Sequence, residues 1–221
     1  MDHFQSTGAE LHKGILSPGE MTLLKDLAED CIGDKPAVRI TGNSKLSDLL
    51  RPGNTMDRIA RARLGDDVRP VRAILFDKRP GANWALGWHQ DRTIAVAKRI
   101  DVAGFDHWSV KSGMPHVEPP FEIIAKMVTL RAHLDACGAN NAPLTVIAGS
   151  HRFGRLKKPE IRRLVERSEI LTCEAEAGDV WAYATAIVHA SKAAREPKHR
   201  RVLQVDFSAE QLPDGLQWLG V

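Results

Sequence analysis

Apolar and polar positions follow one rhythm in the first third of the chain and another after it. In SPGEMTLLKDLAEDC, Leu23, Leu24 and Leu27 fall on one helical face. Ser17 is a suitable N-cap, Pro18 fits the first helical position, and Glu20 stands where the partner of a capping box belongs, so a helix is predicted here. A weaker pattern predicts a second helix over TMDRIARARL, ending near Gly65. A third is predicted over KPEIRRLVERS, where Ile161 and Leu164 share a face. From Val71 onward the rhythm shortens. VRAILFDK, TIAVAKRI, AKMVTLRAHLD, PLTVIAGS, VWAYAT and RRVLQVDFS are short and rich in apolar residues. Turn signals at Pro80-Gly81, Gly104, Gly138 to Pro143 and Gly178-Asp179 separate them. Such punctuation predicts the strands of a sandwich or barrel, padded by helices that come mainly before it. The expected class is mainly β with flanking, chiefly N-terminal helices. No repeat, low-complexity tract or composition break marks a linker, so 1–221 is read as one domain.

In AKMVTLRAHLDAC, alternation sets Met127, Thr129, Arg131, His133 and Asp135 on one face and Val128, Leu130, Ala132 and Leu134 on the other. The apolar face is expected to pack outward. The polar face would look into the barrel, where Arg131 and His133 need partners. A solvated edge strand is the plainer alternative.

Charge narrows the function classes. The chain has 31 basic and 28 acidic residues, a formal charge of +3, with no Lys/Arg block. Nucleic acid is therefore not an expected partner. Cys31, Cys137 and Cys173 are widely spaced and form no CxxC, so neither a disulfide framework nor a thiolate zinc site is suggested. The N-terminus lacks an apolar h-region, and no apolar run approaches the roughly 18 residues of a membrane span. A cytoplasmic protein without membrane association is expected. Oligomeric state has no sequence signature here.

The candidate chemistry starts at LGWHQD. In an extended strand His89 and Asp91 project from one face and Gln90 from the other. An imidazole and a carboxylate on one face are two thirds of a 2-His-1-carboxylate triad, which leaves open positions on non-heme Fe(II). By itself an HxD pair is more often structural. Among possible third ligands, His189 ranks first. It follows the Gly178-Asp179 turn and VWAYAT, and precedes a strand that begins Arg200-Arg201. A guanidinium there suits a carboxylate, whose two oxygens its planar fork can pair. His151 ranks lower, because Arg162 beyond it falls in a predicted helix. His199 adjoins two arginines, and His107 and His116 lie in an irregular stretch where exposure or loop packing is expected.

The segments WHQD, HLDACGANNAPLTVIAGSH, AGDVWAY, and HAS followed by HRRVLQVDF occur in this order between about Arg72 and Phe207. In them the chain resembles the phytanoyl-CoA dioxygenase family of Fe(II)/2-oxoglutarate oxygenases. The resemblance implies a double-stranded β-helix, a jelly-roll core. It implies that His89, Asp91 and His189 hold the iron and form the catalytic centre. It further implies that Arg200 anchors the far carboxylate of 2-oxoglutarate, Arg201 lying on the opposite face of its strand. Ser191 matches the family's H-x-S position and is expected to donate its hydroxyl to the same carboxylate, a simple turn hydroxyl being the alternative. Arg131 aligns with a position that borders 2-oxoglutarate. His133 is a candidate substrate contact or a support for the site. Asn141 occupies a turn that reads as structural, with Ala142 where the family often has Gly.

The resemblance implies oxidation of a small molecule with O2 and 2-oxoglutarate, releasing succinate and CO2. Because Asp91 is present, hydroxylation is expected rather than halogenation. Desaturation, ring closure or epimerisation would use the same triad. A cupin-like metalloenzyme without 2-oxoglutarate, or a non-catalytic ligand-binding jelly roll, are the rival classes. Residues 97–122 read as a long irregular lid, in which Trp108 is a candidate substrate contact and Lys111, like nearby Lys98, could meet an anion. Trp88 is expected to pack. No phosphate-binding glycine loop or basic cluster suggests a CoA thioester. A small polar metabolite or natural-product intermediate is the expected substrate.

Overall fold

The computed structural model describes residues 3–221. In chain order the elements are α1 (His3–Thr7), β1 (Ala9–His12), α2 (Pro18–Cys31), β2 (Ala37–Ile40), α3 (Ser44–Leu49) and α4 (Thr55–Leu64). Then come β3 (Arg69–Lys78), β4 (Leu86–His89), β5 (Ile94–Ala95), β6 (Asp106–Lys111), β7 (Met114–Glu118) and α5 (Phe121–Ala125). The chain continues through β8 (Val128–His133), β9 (Leu144–Ile147), a 3-10 turn (Ser150–Phe153), α6 (Lys158–Val165) and β10 (Ile170–Cys173). It ends with β11 (Val180–Ala184), β12 (His189–Ser191) and β13 (Arg200–Ser208).

Two antiparallel sheets make the core. The larger has the order β1-β11-β8-β13-β3-β2, the smaller β10-β9-β12-β4, and a separate sheet β5-β7-β6 stands beside them. The fold is a double-stranded β-helix with flanking helices. Alternation in the large sheet sorts side chains into two environments. Leu203, Val205 and Phe207 of β13 and Val128, Leu130 and Ala132 of β8 face outward, in one buried cluster with Leu24, Leu27, Leu46 and Met56 of the helices. The opposite face looks inward and carries polar groups, among them Arg72, Lys78, Arg131, Arg200 and Gln204, all of them buried.

Helix α2 begins as its sequence dictates. Ser17 Oγ accepts from Glu20 N at 3.3 Å, and Glu20 Oε2 accepts from Ser17 N at 2.8 Å. Glu20 also accepts from Thr55 N at 2.8 Å, so the same carboxylate caps α2 and fastens the start of α4. Helix α4 stops at Gly65, whose φ of 85° suits glycine.

Several expectations need correction. Residues 97–122 are not a structureless lid: β6 and β7 form a hairpin on β5, and α5 follows. The strand expected over 93–100 shrinks to Ile94–Ala95. Within the hairpin sheet His116 is fully buried rather than exposed. Strand β8 ends at His133, so Asp135 leaves the inward face and pairs with Arg201 outside at 2.7 Å. The short elements β1, β2, α3 and β10 carry too few residues to show a period.

Candidate metal centre

Strands β4 and β12 are neighbours, and their register sets His89 opposite His189. Their ring centroids are 4.3 Å apart. Asp91 follows β4 by two residues, and one potential ligand atom from each of His89, Asp91 and His189 lies within 4.8 Å of the others. The ring nitrogens are already allotted. His89 Nδ1 donates to Gly87 O at 2.8 Å and His189 Nδ1 donates to Ile187 O at 3.0 Å, which leaves Nε2 of each with its lone pair free. Burial lowers the His189 pKa to about 4, so its ring is neutral at neutral pH. Burial would raise Asp91, but Arg72 and then His189 outweigh it and hold the carboxyl below its usual range. The donor set of two imidazoles and one carboxylate suits Fe(II) with open positions.

Gln90, between the two candidate ligands, points away from them and is buried. Its Nε2 donates to Ala186 O at 2.8 Å and Gly154 O at 3.0 Å, and its Oε1 accepts from Leu156 N at 2.9 Å. It thus bolts the HxD segment to the loops before β12 and α6. Arg72, on β3, spans Asp206 at 2.5 Å and Asp91 at 3.3 Å. It orients one Asp91 oxygen and leaves the other for a metal. Sequence reading passed over both residues. The available signal for Arg72 was charge on the inward parity of an apolar strand, which Lys78 shares.

The pocket beside the triad is lined by Arg131, Ser191, Arg200 and Gln204 at one side, and by Arg39, Arg72, Thr93 and Lys111 at another. Arg200 and Lys78 face each other across β13 and β3. Arg131 Nη1 donates to Gln204 Oε1 at 2.9 Å. Arg200 donates to Ala142 O. Lys78 Nζ donates to Ser191 Oγ at 3.1 Å and Lys192 O at 2.7 Å. Among the described residues none of these three cations has a carboxylate partner, and Nε of both Arg131 and Arg200 is buried without any hydrogen-bond partner. Burial and then mutual repulsion lower Lys78 to about 8 and Arg200 to about 10. Three desolvated cations without an anion are costly, and a bound dicarboxylate offsets that cost. The residues present therefore fit both the metal and 2-oxoglutarate.

The remaining candidates separate. Ser191 lines the pocket and hydrogen-bonds Ala142 O at 3.3 Å. Ala142 holds φ 52°, a left-handed conformation that favours glycine. His133 is buried behind the pocket lining, its pKa lowered to about 3 by burial and then by Arg131 and Arg200. Trp108 does not line the pocket. It packs beside Phe105 and Val102 and lies under Arg99 at 5.4 Å, because it sits on the far part of the β6–β7 hairpin. Trp88 packs on Ile147, Ile161 and Val188. His151 packs against Gly8, where an added Cβ would clash with its ring. His199 pairs with Asp77 at 3.1 Å.

The fold and the site define a jelly-roll protein with a two-histidine, one-carboxylate cluster. The family model described as phytanoyl-CoA dioxygenase matches residues 5–202, and the chain belongs to that family. No curated protein matches. Among solved structures, AviO1 from Streptomyces viridochromogenes Tue57 is similar, with TM-score 0.69 and 19% identity over 96% of this chain and 95% of that one. So is the non-heme alpha-ketoglutarate-dependent carbocyclase SnoK from nogalamycin biosynthesis, with TM-score 0.67 and 16% identity over 93% and 81%. EctD from S. alaskensis, solved with 2-oxoglutarate and 5-hydroxyectoine, has TM-score 0.66 and 17% identity over 99% and 78%. Identities this low establish shared fold. Among the described residues no helix is long and apolar enough to cross a membrane.

Proposed function

We propose that this chain is an Fe(II)- and 2-oxoglutarate-dependent hydroxylase of a small molecule. One observation carries the reading: the His89–Asp91–His189 cluster shares a pocket with Arg131 and Arg200, buried cations that among the described residues have no carboxylate partner. His89 and His189 would bind iron through Nε2 and Asp91 through the oxygen turned away from Arg72. Arg200 would take the far carboxylate of 2-oxoglutarate, with Arg131 and Ser191 beside it. The similarity to structures whose names include alpha-ketoglutarate dependence or bound 2-oxoglutarate supports the same assignment.

Bound iron and 2-oxoglutarate supply oxygen activation, and a hydroxylation balances as substrate C–H, O2 and 2-oxoglutarate giving C–OH, succinate and CO2. The protein's share is positioning and dryness. Burial keeps His189 neutral, Arg72 fixes the Asp91 rotamer, and Gln90 locks the backbone that carries His89 and Asp91. Asp91 would supply the metal with a carboxylate where a halide would otherwise bind.

The test is anaerobic titration of metal-free protein with Fe(II) and 2-oxoglutarate, followed by oxygen. A visible absorption band that needs both ligands is expected, together with calorimetric 2-oxoglutarate binding that requires the metal. Succinate should form on oxygenation with a substrate. A product heavier by one oxygen identifies hydroxylation, and one lighter by two hydrogens identifies ring closure or desaturation. Absence of 2-oxoglutarate binding by iron-loaded protein would sink the proposal.

A further inference from the structure

A second group of cations stands apart from the Arg200 end of the pocket. Arg39 projects inward from the edge strand β2, in one transverse row with Ile74, Gln204 and Arg131. Along β3, Ile74 lies four residues from Lys78, about 13 Å at the usual rise of a strand. Arg39 is thus far from the Arg200–Lys78 row. Its Nε is buried without a partner, and among the described residues its side chain makes no hydrogen bond or ion pair. Lys111 reaches the same pocket from the β6–β7 hairpin, and its Nζ donates only to Thr93 Oγ1, at 3.0 Å. Burial and then the neighbouring Arg72 weaken the protonated form of both side chains.

The charges do not close around these two residues. Arg72 is answered by Asp206 and Asp91, and Asp91 is itself claimed by the metal. Fe(II) would be balanced by Asp91 and one carboxylate of 2-oxoglutarate, and the far carboxylate would answer the Arg200–Lys78–Arg131 group. Among the described residues, Arg39 and Lys111 are left in the triad's pocket with no carboxylate of their own. A guanidinium fork and an ammonium converging on one partly desolvated space are complementary to an oxyanion. They carry the same charge as a protonated amine and would repel one.

Building on the assignment of the triad and of 2-oxoglutarate above, we infer that the primary substrate carries an anionic oxygen group, a carboxylate or a phosphate. That group is held by Arg39 and Lys111. The two cations tether the molecule at the Asp91 side of the pocket, away from the cosubstrate carboxylate at Arg200. Arg72 backs the subsite without leaving its two aspartates. The substrate is small, because the hairpin carrying Lys111 and the edge strand carrying Arg39 bound the same pocket.

The experiment uses full-length protein loaded anaerobically with Fe(II) and saturating 2-oxoglutarate, so that the cosubstrate site is filled. Inorganic phosphate, a series of aliphatic monocarboxylates and the primary amides of the same chains are titrated by calorimetry. Expected is binding of the anions with at least about tenfold preference over the amides. Arg39→Gln and Lys111→Gln should each lower anion affinity by about tenfold or more, and Arg39→Lys should recover part of it. The 2-oxoglutarate affinity, measured separately, should stay within about threefold in all three variants. Tighter phosphate binding assigns a phosphate ester, and tighter carboxylate binding a carboxylic acid. Equal binding of acids and amides overturns the inference, as does the absence of anion binding by the loaded protein. A loss of 2-oxoglutarate affinity in Arg39→Gln as large as the loss of anion affinity also overturns it, by assigning Arg39 to the cosubstrate. Failure of wild-type protein to bind 2-oxoglutarate at all refutes instead the hydroxylase reading on which the inference rests.

Discussion

Arg200 and Arg201 are chain neighbours held in opposite environments by the pleat of one strand. Arg200 is buried and faces Lys78 and Arg131, without a counter-charge among the described residues, whereas Arg201 makes a two-pronged pair with Asp135 on the outer face. Arg200→Ala should weaken 2-oxoglutarate binding by about 10- to 100-fold, the worth of a charged hydrogen bond. Arg201→Ala breaks a partly exposed pair and should leave that affinity within about twofold. Calorimetry on metal-loaded protein checks both, and equal losses would refute the assignment. Ala142 offers a second measurement. It pays for a left-handed φ of 52° that glycine would adopt freely. Ala142→Gly should therefore raise stability by up to about 1 kcal/mol, read as a shift of the urea midpoint at constant slope. The carbonyl of Ala142 receives both Arg200 and Ser191, so the turn's shape and the anion site are coupled. At this scale the sequence showed most where chemistry is spaced along the chain. Parity put His89 and Asp91 on one face and the strand with paired arginines ranked His189 first, but it was the family resemblance that joined the three as candidate ligands. Lys78 did not declare itself, because its partners Ser191 and Lys192 lie more than 110 positions away.

The element that matters most to the candidate centre is the end of β4, and Gln90 is what fixes it. Three hydrogen bonds from one buried amide tie it to Ala186, Gly154 and Leu156. Gln90→Leu leaves two carbonyls and one N–H buried without partners, a loss of about 2–4 kcal/mol. The expected outcome is a lower unfolding midpoint and weaker Fe(II) affinity, with 2-oxoglutarate affinity at saturating metal much less affected. An unchanged Fe(II) affinity would show that the HxD segment holds its shape without the clamp. Legibility at this scale followed length. Helices α2 and α4 and strands β3, β8 and β13 were readable, because several periods and a cap repeat the same message. Strand β2, which carries Arg39, has four residues and no cap, and is defined only by pairing with β3. The β6–β7 hairpin was misread for a related reason. Its turn, Ser112-Gly113, does carry a glycine signal, with positive φ at both residues, but the strands it joins are short and the β6–β7 register is broken between Asp106 and Ser109, so alternation does not show.

Across the whole molecule, the inward face of the large sheet is a polar wall inside an apolar shell, and its titration should dominate the pH dependence of the metal-free protein. His133 and His189 have folded pKa values near 3 and 4, below the ordinary 6.5, because burial opposes their charged forms. A depressed folded value means stability that is complete above about pH 6.5 and is lost as the pH falls through 4, the unfolded chain taking up protons the folded one refuses. Lys78 behaves in the same sense at higher pH. Its folded value is about 8 against an ordinary 10.5, so its contribution grows as the pH rises from 8 towards 10.5. Urea midpoints of metal-free protein should therefore climb by the equivalent of about 1 kcal/mol per pH unit or more between pH 5 and 6.5, stay level to about 8, and climb again to about 9, above which the buried Cys137 and Cys173 thiols, their pKa values raised by burial, oppose the rise. Lys78→Met should abolish the upper climb and leave the lower one. Filling the pocket with Fe(II) and 2-oxoglutarate should act alike on the upper limb, because an anion beside Lys78 stabilises its protonated form and restores its pKa towards the ordinary value. An upper limb that survives both treatments would mean that Lys78 does not share its charge with the anion site.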